Sequence, residues 1–122
     1  MKWLLSLFTV LVAGSAQAVT VQLVNSTDAD LKAFLLLSDA QSGIPVDMVD
    51  NQIVPHGQIF SKNLGQYETS DKFELRFELS RDNGQPVCQG KLPVSATNRV
   101  QVVAEGHPGA APVNCTVSQQ TR

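Results

Sequence analysis

The stretch from Phe73 to Leu79 constrains the fold more than any other part of this sequence, because its apolar residues alternate strictly with charged ones. The apolar set is Phe73, Leu75, Phe77 and Leu79, and the charged set is Glu74, Arg76 and Glu78. Successive side chains of a β-strand point to opposite faces, whereas a helix would distribute these apolar residues around its axis. The pattern therefore predicts a strand with one face on a core and the other in water.

The same two-residue period recurs along the chain between turn signals. Further strands are predicted at Val19–Leu23, Leu31–Ser38, Ile59–Leu64, Val87–Val94, Asn98–Glu105 and Val113–Ser118. Val46–Asn51 is only weakly patterned, and Ile53-Val54 has the pattern of a strand end before a turn at Pro55–Gly57. The dipeptide Asn83-Gly84 is a strong hairpin signal after the Phe73–Leu79 strand. Seven or eight short strands at this spacing predict an all-β fold, a small antiparallel β-sandwich of immunoglobulin-like or similar type. No motif in the chain is specific to one family of such sandwiches.

The first eighteen residues have the layout of a secretory signal peptide. Lys2 precedes an apolar run from Trp3 to Val12, and small residues then lead to Ala16-Gln17-Ala18. The apolar run is too short for a transmembrane helix, which needs about 20 residues. We expect cleavage after Ala18, a single domain over residues 19–122, and a periplasmic or secreted product that does not insert into a membrane.

Cys88 and Cys115 are the only cysteines, and an exported chain enters an oxidising compartment. Both lie on predicted strands, and each shares a face with apolar residues, Leu92 and Val94 for Cys88 and Val113 and Val117 for Cys115, so both cysteines are expected to point inward. We predict one structural disulfide between them, either between neighbouring strands or between sheets. Closure of a loop of this length is worth about 3–4 kcal/mol in the chain-entropy model.

The segment from Leu31 to Ser38 is apolar on both faces if it is a strand, because Phe34 and Leu36 alternate with a second apolar set. A helix is the rival interpretation, since leucine and alanine favour helices. As a strand, it needs cover on its second face. Residues Asp39 to Asn51 could supply that cover, or Phe34 and Leu36 could form a surface for a partner.

Candidate catalytic or metal-binding residues are few. His56 and His107 both fall in predicted loops, at a spacing that matches no common zinc, copper or iron motif. No phosphate-binding loop or hydrolase signature is present in the sequence. A small metal-binding or catalytic envelope protein that uses His56 and His107 is therefore the alternative hypothesis, and it requires the two histidines to converge.

Charge argues against a nucleic-acid partner, since 9 lysines and arginines face 11 aspartates and glutamates and give a net charge of −2. The favoured hypothesis is a periplasmic or secreted, non-catalytic binding or accessory module without a cofactor. Its partner would be a protein, such as a hydrolase that it inhibits, or a glycan. Loops such as Ser38–Asn51 or Gly106–Pro112 could carry the contact.

Overall fold

The computed structural model describes residues 18–66, 68, 70–108 and 113–121, and these residues form eight strands and no helix. The strands are β1 (Val19–Thr27), β2 (Leu31–Asp39), β3 (Pro45–Val54), β4 (Ile59–Leu64), β5 (Lys72–Ser80), β6 (Pro86–Ser95), β7 (Asn98–Gly106) and β8 (Asn114–Thr121). The predicted signal peptide lies outside the described residues apart from Ala18.

The eight strands form two four-stranded sheets that enclose one apolar core. Sheet A has the strand order β4-β1-β7-β8, and sheet B has the order β3-β2-β5-β6. All strand pairs are antiparallel except β1 with β7, which is parallel. The predicted all-β sandwich is therefore confirmed, with one parallel pair in an otherwise antiparallel arrangement.

The core lies between the sheets and consists of one face from nearly every strand. On β5 the four apolar residues at odd positions are buried and the intervening charged residues point outward, as the alternation predicts. The largest fully buried side chains are Phe73, Leu23, Leu31, Leu35, Leu37, Leu64, Leu75 and Leu79. Because the core takes only one face of each sheet, two outer faces remain to meet solvent or partners.

Residues 31–39 form a strand, β2, and not the rival helix. Its odd-numbered residues from Leu31 to Leu37 are buried, whereas Phe34 and Leu36 are half-buried on the opposite face. Its two neighbours, β3 and β5, hydrogen-bond along its two edges. β2 is thus a central strand whose second apolar face belongs to the outside of sheet B.

The predicted loop over Ser38–Asn51 is wrong for most of its length. A tight turn follows Asp39, where the Gly43 N–H donates to the Asp39 carbonyl at 2.8 Å, and β3 then runs without a break from Pro45 to Val54. A β-bulge interrupts the two-residue alternation along β3, so the sequence pattern does not show it as one strand. Ala33 pairs with Gln52 and Leu35 with Val49, so that Asp50 and Asn51 together oppose Phe34. The extra residue shifts the alternation of faces halfway along β3.

The hairpin signal at Asn83-Gly84 is confirmed in the β5–β6 connection. Gly84 has a φ of 87°, and its N–H donates to the Arg81 carbonyl at 2.9 Å. A side chain would strain this left-handed conformation, which explains the glycine. The turn sets β6 beside β5 in antiparallel register, with Cys88 opposite Leu79.

Candidate functional site

The predicted disulfide is confirmed, and it joins the two sheets. Cys88 of β6 is buried in sheet B, whereas Cys115 of β8 lies exposed at the edge of sheet A, with 5.9 Å between their Cα atoms. The sequence pattern placed Cys115 and Val117 on a buried face, which is wrong, since all eight residues of β8 are exposed. β8 borders only β7 within its sheet. The bond therefore ties this outermost strand to the sandwich and has a structural role.

The two histidines lie at the same end of the sandwich, because sheet order brings three connections together there. β1 runs parallel to β7 and antiparallel to β4, so the end of β1 lies beside the end of β7 and the start of β4. His107 follows β7, and His56 precedes β4. The turn between β1 and β2 carries Asp28 and Asp30 to the same place.

Each histidine pairs with its own aspartate. The Nδ1 atom of His107 lies 2.8 Å from Oδ2 of Asp28. The backbone N–H of His56 donates to Oδ1 of Asp30 at 3.0 Å, and its ring Nδ1 lies 3.2 Å from the same oxygen. All four side chains are more than half exposed. The pairs tie the β3–β4 turn and the segment after β7 to the β1–β2 turn.

The two aspartates titrate lower than usual because of these contacts. The hydrogen bond with the His107 side chain is the main cause that lowers the pKa of Asp28 from its ordinary value of 3.8. For Asp30, the backbone N–H of His56 is the largest cause of the lowered pKa, and the His56 ring adds to it. Both carboxylates therefore stay charged to a lower pH than an ordinary aspartate does.

The geometry at this end does not assemble a metal centre within the part of the chain that the structure describes. No group of three or more histidine, cysteine, aspartate or glutamate side chains there could hold a metal ion. Neither His56 nor His107 hydrogen-bonds a described serine, threonine or cysteine side chain that could act as a nucleophile. Each histidine contacts an aspartate through its ring Nδ1, and these contacts account for how the loops at this end are held.

A buried asparagine, which the sequence pattern did not single out, holds the same end together. Asn25 is 1% exposed, and its Nδ2 donates to the carbonyls of Ala29 and Val54, both at 2.8 Å. Its Oδ1 accepts from the backbone and the hydroxyl of Thr27. Every polar atom of the amide is thus satisfied, and the β1–β2 turn is fixed to the end of β3.

Phe34 and Leu36 form part of a larger apolar surface on the outer face of sheet B. Leu36 pairs directly with Met48 of β3, and Lys32 of β2 pairs with Ile53. Directly paired residues of an antiparallel sheet project to the same side, so these side chains lie together. Met48 and Ile53 are 57% and 47% exposed. We call Phe34, Leu36, Met48 and Ile53 the apolar patch.

Residues 45–51 do not provide the cover that one interpretation of the sequence assigned to them. They belong to β3, which lies beside β2 in the same sheet. In that position they extend the outer face and contribute Met48 to it. Phe34 and Leu36 are also absent from the residues that pack against the core.

Charged side chains of both signs border the apolar patch. Arg76 of β5 pairs with Leu36, and Glu78 pairs with Phe34. Lys32 lies at the other end, opposite Ile53. An apolar centre with a charged rim is the usual composition of a protein–protein interface.

The free edge of β3 is poorly suited to pairing with another strand. It begins with Pro45, carries Asp47 and Asp50, and contains the bulge at Asn51, whose φ is 56°. Proline, charge and bulges are the features that protect edge strands from strand addition. A partner of sheet B would therefore dock on the face of the sheet and not extend its edge.

Taken together, fold and site define a two-sheet β-sandwich with an intersheet disulfide and an apolar patch on the outer face of sheet B. None of the described residues forms a helix long and apolar enough to cross a membrane. Comparison of the chain with protein-family models and with curated proteins gives no match.

Proposed function

We propose that this protein is an exported, non-catalytic binding module that acts by docking a protein partner on the outer face of sheet B. The apolar patch carries this proposal. Three of its features support a protein as the occupant: the exposed Met48 and Ile53, the charged rim, and the protected edge of β3. The partner would present an apolar centre flanked by charges of both signs.

Export is part of the proposal and rests on two observations. The first eighteen residues have the layout of a signal peptide, and the intersheet disulfide suits an oxidising compartment. Because β1 begins at Val19, cleavage after Ala18 leaves all eight strands in the product. Mass determination of the exported protein tests this step, and a product that retains residues 1–18 would contradict it.

The docking step is tested with a matched pair of isoleucines on opposite faces. Ile53 belongs to the apolar patch, whereas Ile59 pairs with Val24 on the outer face of sheet A and is 58% exposed. Tagged wild type, Ile53→Glu and Ile59→Glu are expressed in the native host, crosslinked, and compared by quantitative mass spectrometry. Both substitutions add one charge at an exposed position, so both variants should fold.

The proposal expects at least one protein to be recovered with wild type and Ile59→Glu and to be lost with Ile53→Glu. Recovery unchanged by Ile53→Glu, or lost equally with both variants, would contradict docking on the apolar patch. Recovery of only a second copy of this chain would contradict a heterologous partner.

A further inference from the structure

The outer face of sheet A has a different chemistry from that of sheet B, because amide and hydroxyl side chains dominate it. Two rows of side chains cross its four strands: Asn63, Thr20, Arg99 and Gln120 in one, and Ser61, Gln22, Gln101 and Ser118 in the other. All of these residues except Asn63 line a groove of about 380 Å³. The groove crosses from β4 to β8, a distance of about 14 Å at the usual strand spacing.

Contacts along the two rows leave hydrogen-bonding groups available in the groove. Nε2 of Gln101 donates to Oε1 of Gln22 at 2.6 Å, which holds the two amides in place across β1 and β7. Within the described residues, the Gln22 amide nitrogen, the Gln101 amide oxygen and the Ser61 and Ser118 hydroxyls make no other hydrogen bond. Groups that donate and accept at fixed spacing suit sugar hydroxyls, each of which does both.

Arg99 is the one charged side chain among the described residues that line the groove. No described carboxylate lies within ion-pair distance of its guanidinium. Glu105 is on the same outer face but six residues further along β7, about 20 Å away at the rise of a strand. An unpaired guanidinium presents a planar set of donors that matches a carboxylate in a two-point contact.

We infer that this groove binds an oligosaccharide that carries carboxylate groups, with Arg99 on a carboxylate and the amide and hydroxyl rows on the sugar hydroxyls. The site is independent of the apolar patch, which lies on the other sheet. The described lining residues include no aromatic side chain on which a sugar ring could stack. Binding therefore depends on hydrogen bonds and charge, and it weakens with salt.

The test uses trigalacturonate as the probe and follows the backbone amides of the intact protein by NMR. The fully methyl-esterified trisaccharide has the same ring hydroxyls without the charge, and a short glutamate peptide has the charge without sugar hydroxyls. The variant Arg99→Gln removes the groove's charge. Arg76→Gln, an exposed arginine on the outer face of sheet B, is the matched control.

The inference expects trigalacturonate to shift amides of Gln22, Gln101 and Ser118 and to bind about fivefold to tenfold more weakly to Arg99→Gln. Arg76→Gln should bind as wild type does, and the methyl ester should bind more weakly than the acid. Absence of shifts in the groove would overturn the inference, as would an equal loss with both variants. Equal binding of the ester would exclude carboxylate recognition, and equal or tighter binding of the glutamate peptide would exclude recognition of the sugar.

Discussion

Phe77 lies directly opposite Gly90 in the β5–β6 pair, and a Cβ atom on Gly90 would lie 3.0 Å from Cζ of the Phe77 ring. The ring occupies the space that a side chain at position 90 would need. Gly90 thus leaves room for the ring of Phe77, which is only 4% exposed. The relationship links a glycine inside a strand to the burial of a large core side chain.

Gly90→Ala should destabilise the protein by about 1–3 kcal/mol, because the added methyl group overpacks the core against the Phe77 ring. Urea denaturation measures the change. Combining Gly90→Ala with Phe77→Leu should cost less than the sum of the two single substitutions, since the smaller side chain makes room. Strict additivity would mean that the ring and the methyl group do not meet.

Phe77→Ala should cost about 3–5 kcal/mol, the usual range for truncating a buried phenylalanine. Phe34 supplies the control, since it lies on the neighbouring strand but on the outer face. Phe34→Ala should cost about 1 kcal/mol or less. Similar losses for the two variants in the same denaturation experiment would refute the assignment of Phe34 to the outer face.

Loss of the Cys88–Cys115 bond should lower the free energy of unfolding by about 3–4 kcal/mol, because the unfolded chain gains the entropy of an open loop. The comparison is wild type with and without reductant, followed by thermal denaturation. The double variant Cys88→Ala/Cys115→Ala serves as the control and should not respond to reductant. A wild-type midpoint that reductant leaves unchanged would show that the bond does not stabilise the sandwich.

The contacts of His56 with Asp30 and of His107 with Asp28 should break in acid, when the two carboxylates become protonated. The folded-state pKa of Asp28 and Asp30 lies below the ordinary value of 3.8. A carboxylate with a lowered folded pKa stabilises the fold above its unfolded pKa, and that contribution disappears as the pH falls through the folded value. The turns that carry His56 and His107 should therefore loosen below about pH 3.8.

Carboxyl titration by NMR checks this prediction, and Asp30 serves as the control for Asp28 in a variant of His107. His107→Ala should raise the pKa of Asp28 toward 3.8 and leave that of Asp30 in place, because His107 is not among the causes that lower Asp30. A pKa of Asp28 that does not change in His107→Ala would contradict the pairing.

Strands with regular alternation could be predicted from sequence because only every second side chain faces the core and must be apolar. β5 is the clearest case, since Phe73 to Leu79 separates completely into a buried and an outer face. β3 could not be predicted as one strand. The bulge at Asp50 and Asn51 shifts its faces, and this bulge becomes visible only once β3 pairs with β2.

The residues of the candidate sites are brought together by the order of the strands in the sheets, and a local sequence pattern does not reveal that order. Phe34 and Leu36 stood out because they are apolar on a second strand face, but Met48 and Ile53 joined them only through the pairing of β3 with β2. Likewise, Asp28 and Asp30 meet the two histidines because β1 lies between β4 and β7. Cys115 is a case where the local pattern gave the wrong answer. Alternation predicted that it points inward, but β8 is an edge strand and Cys115 is exposed.

Docking of a protein on the apolar patch is tested most directly by site-specific photocrosslinking in the native compartment. A photoreactive phenylalanine replaces Ile53 in one variant and Ile59 in the other, two exposed isoleucines on opposite outer faces. The proposed function predicts a discrete adduct with another protein from position 53 and none from position 59. Adducts from position 59 alone, or the same adducts from both positions, would contradict it.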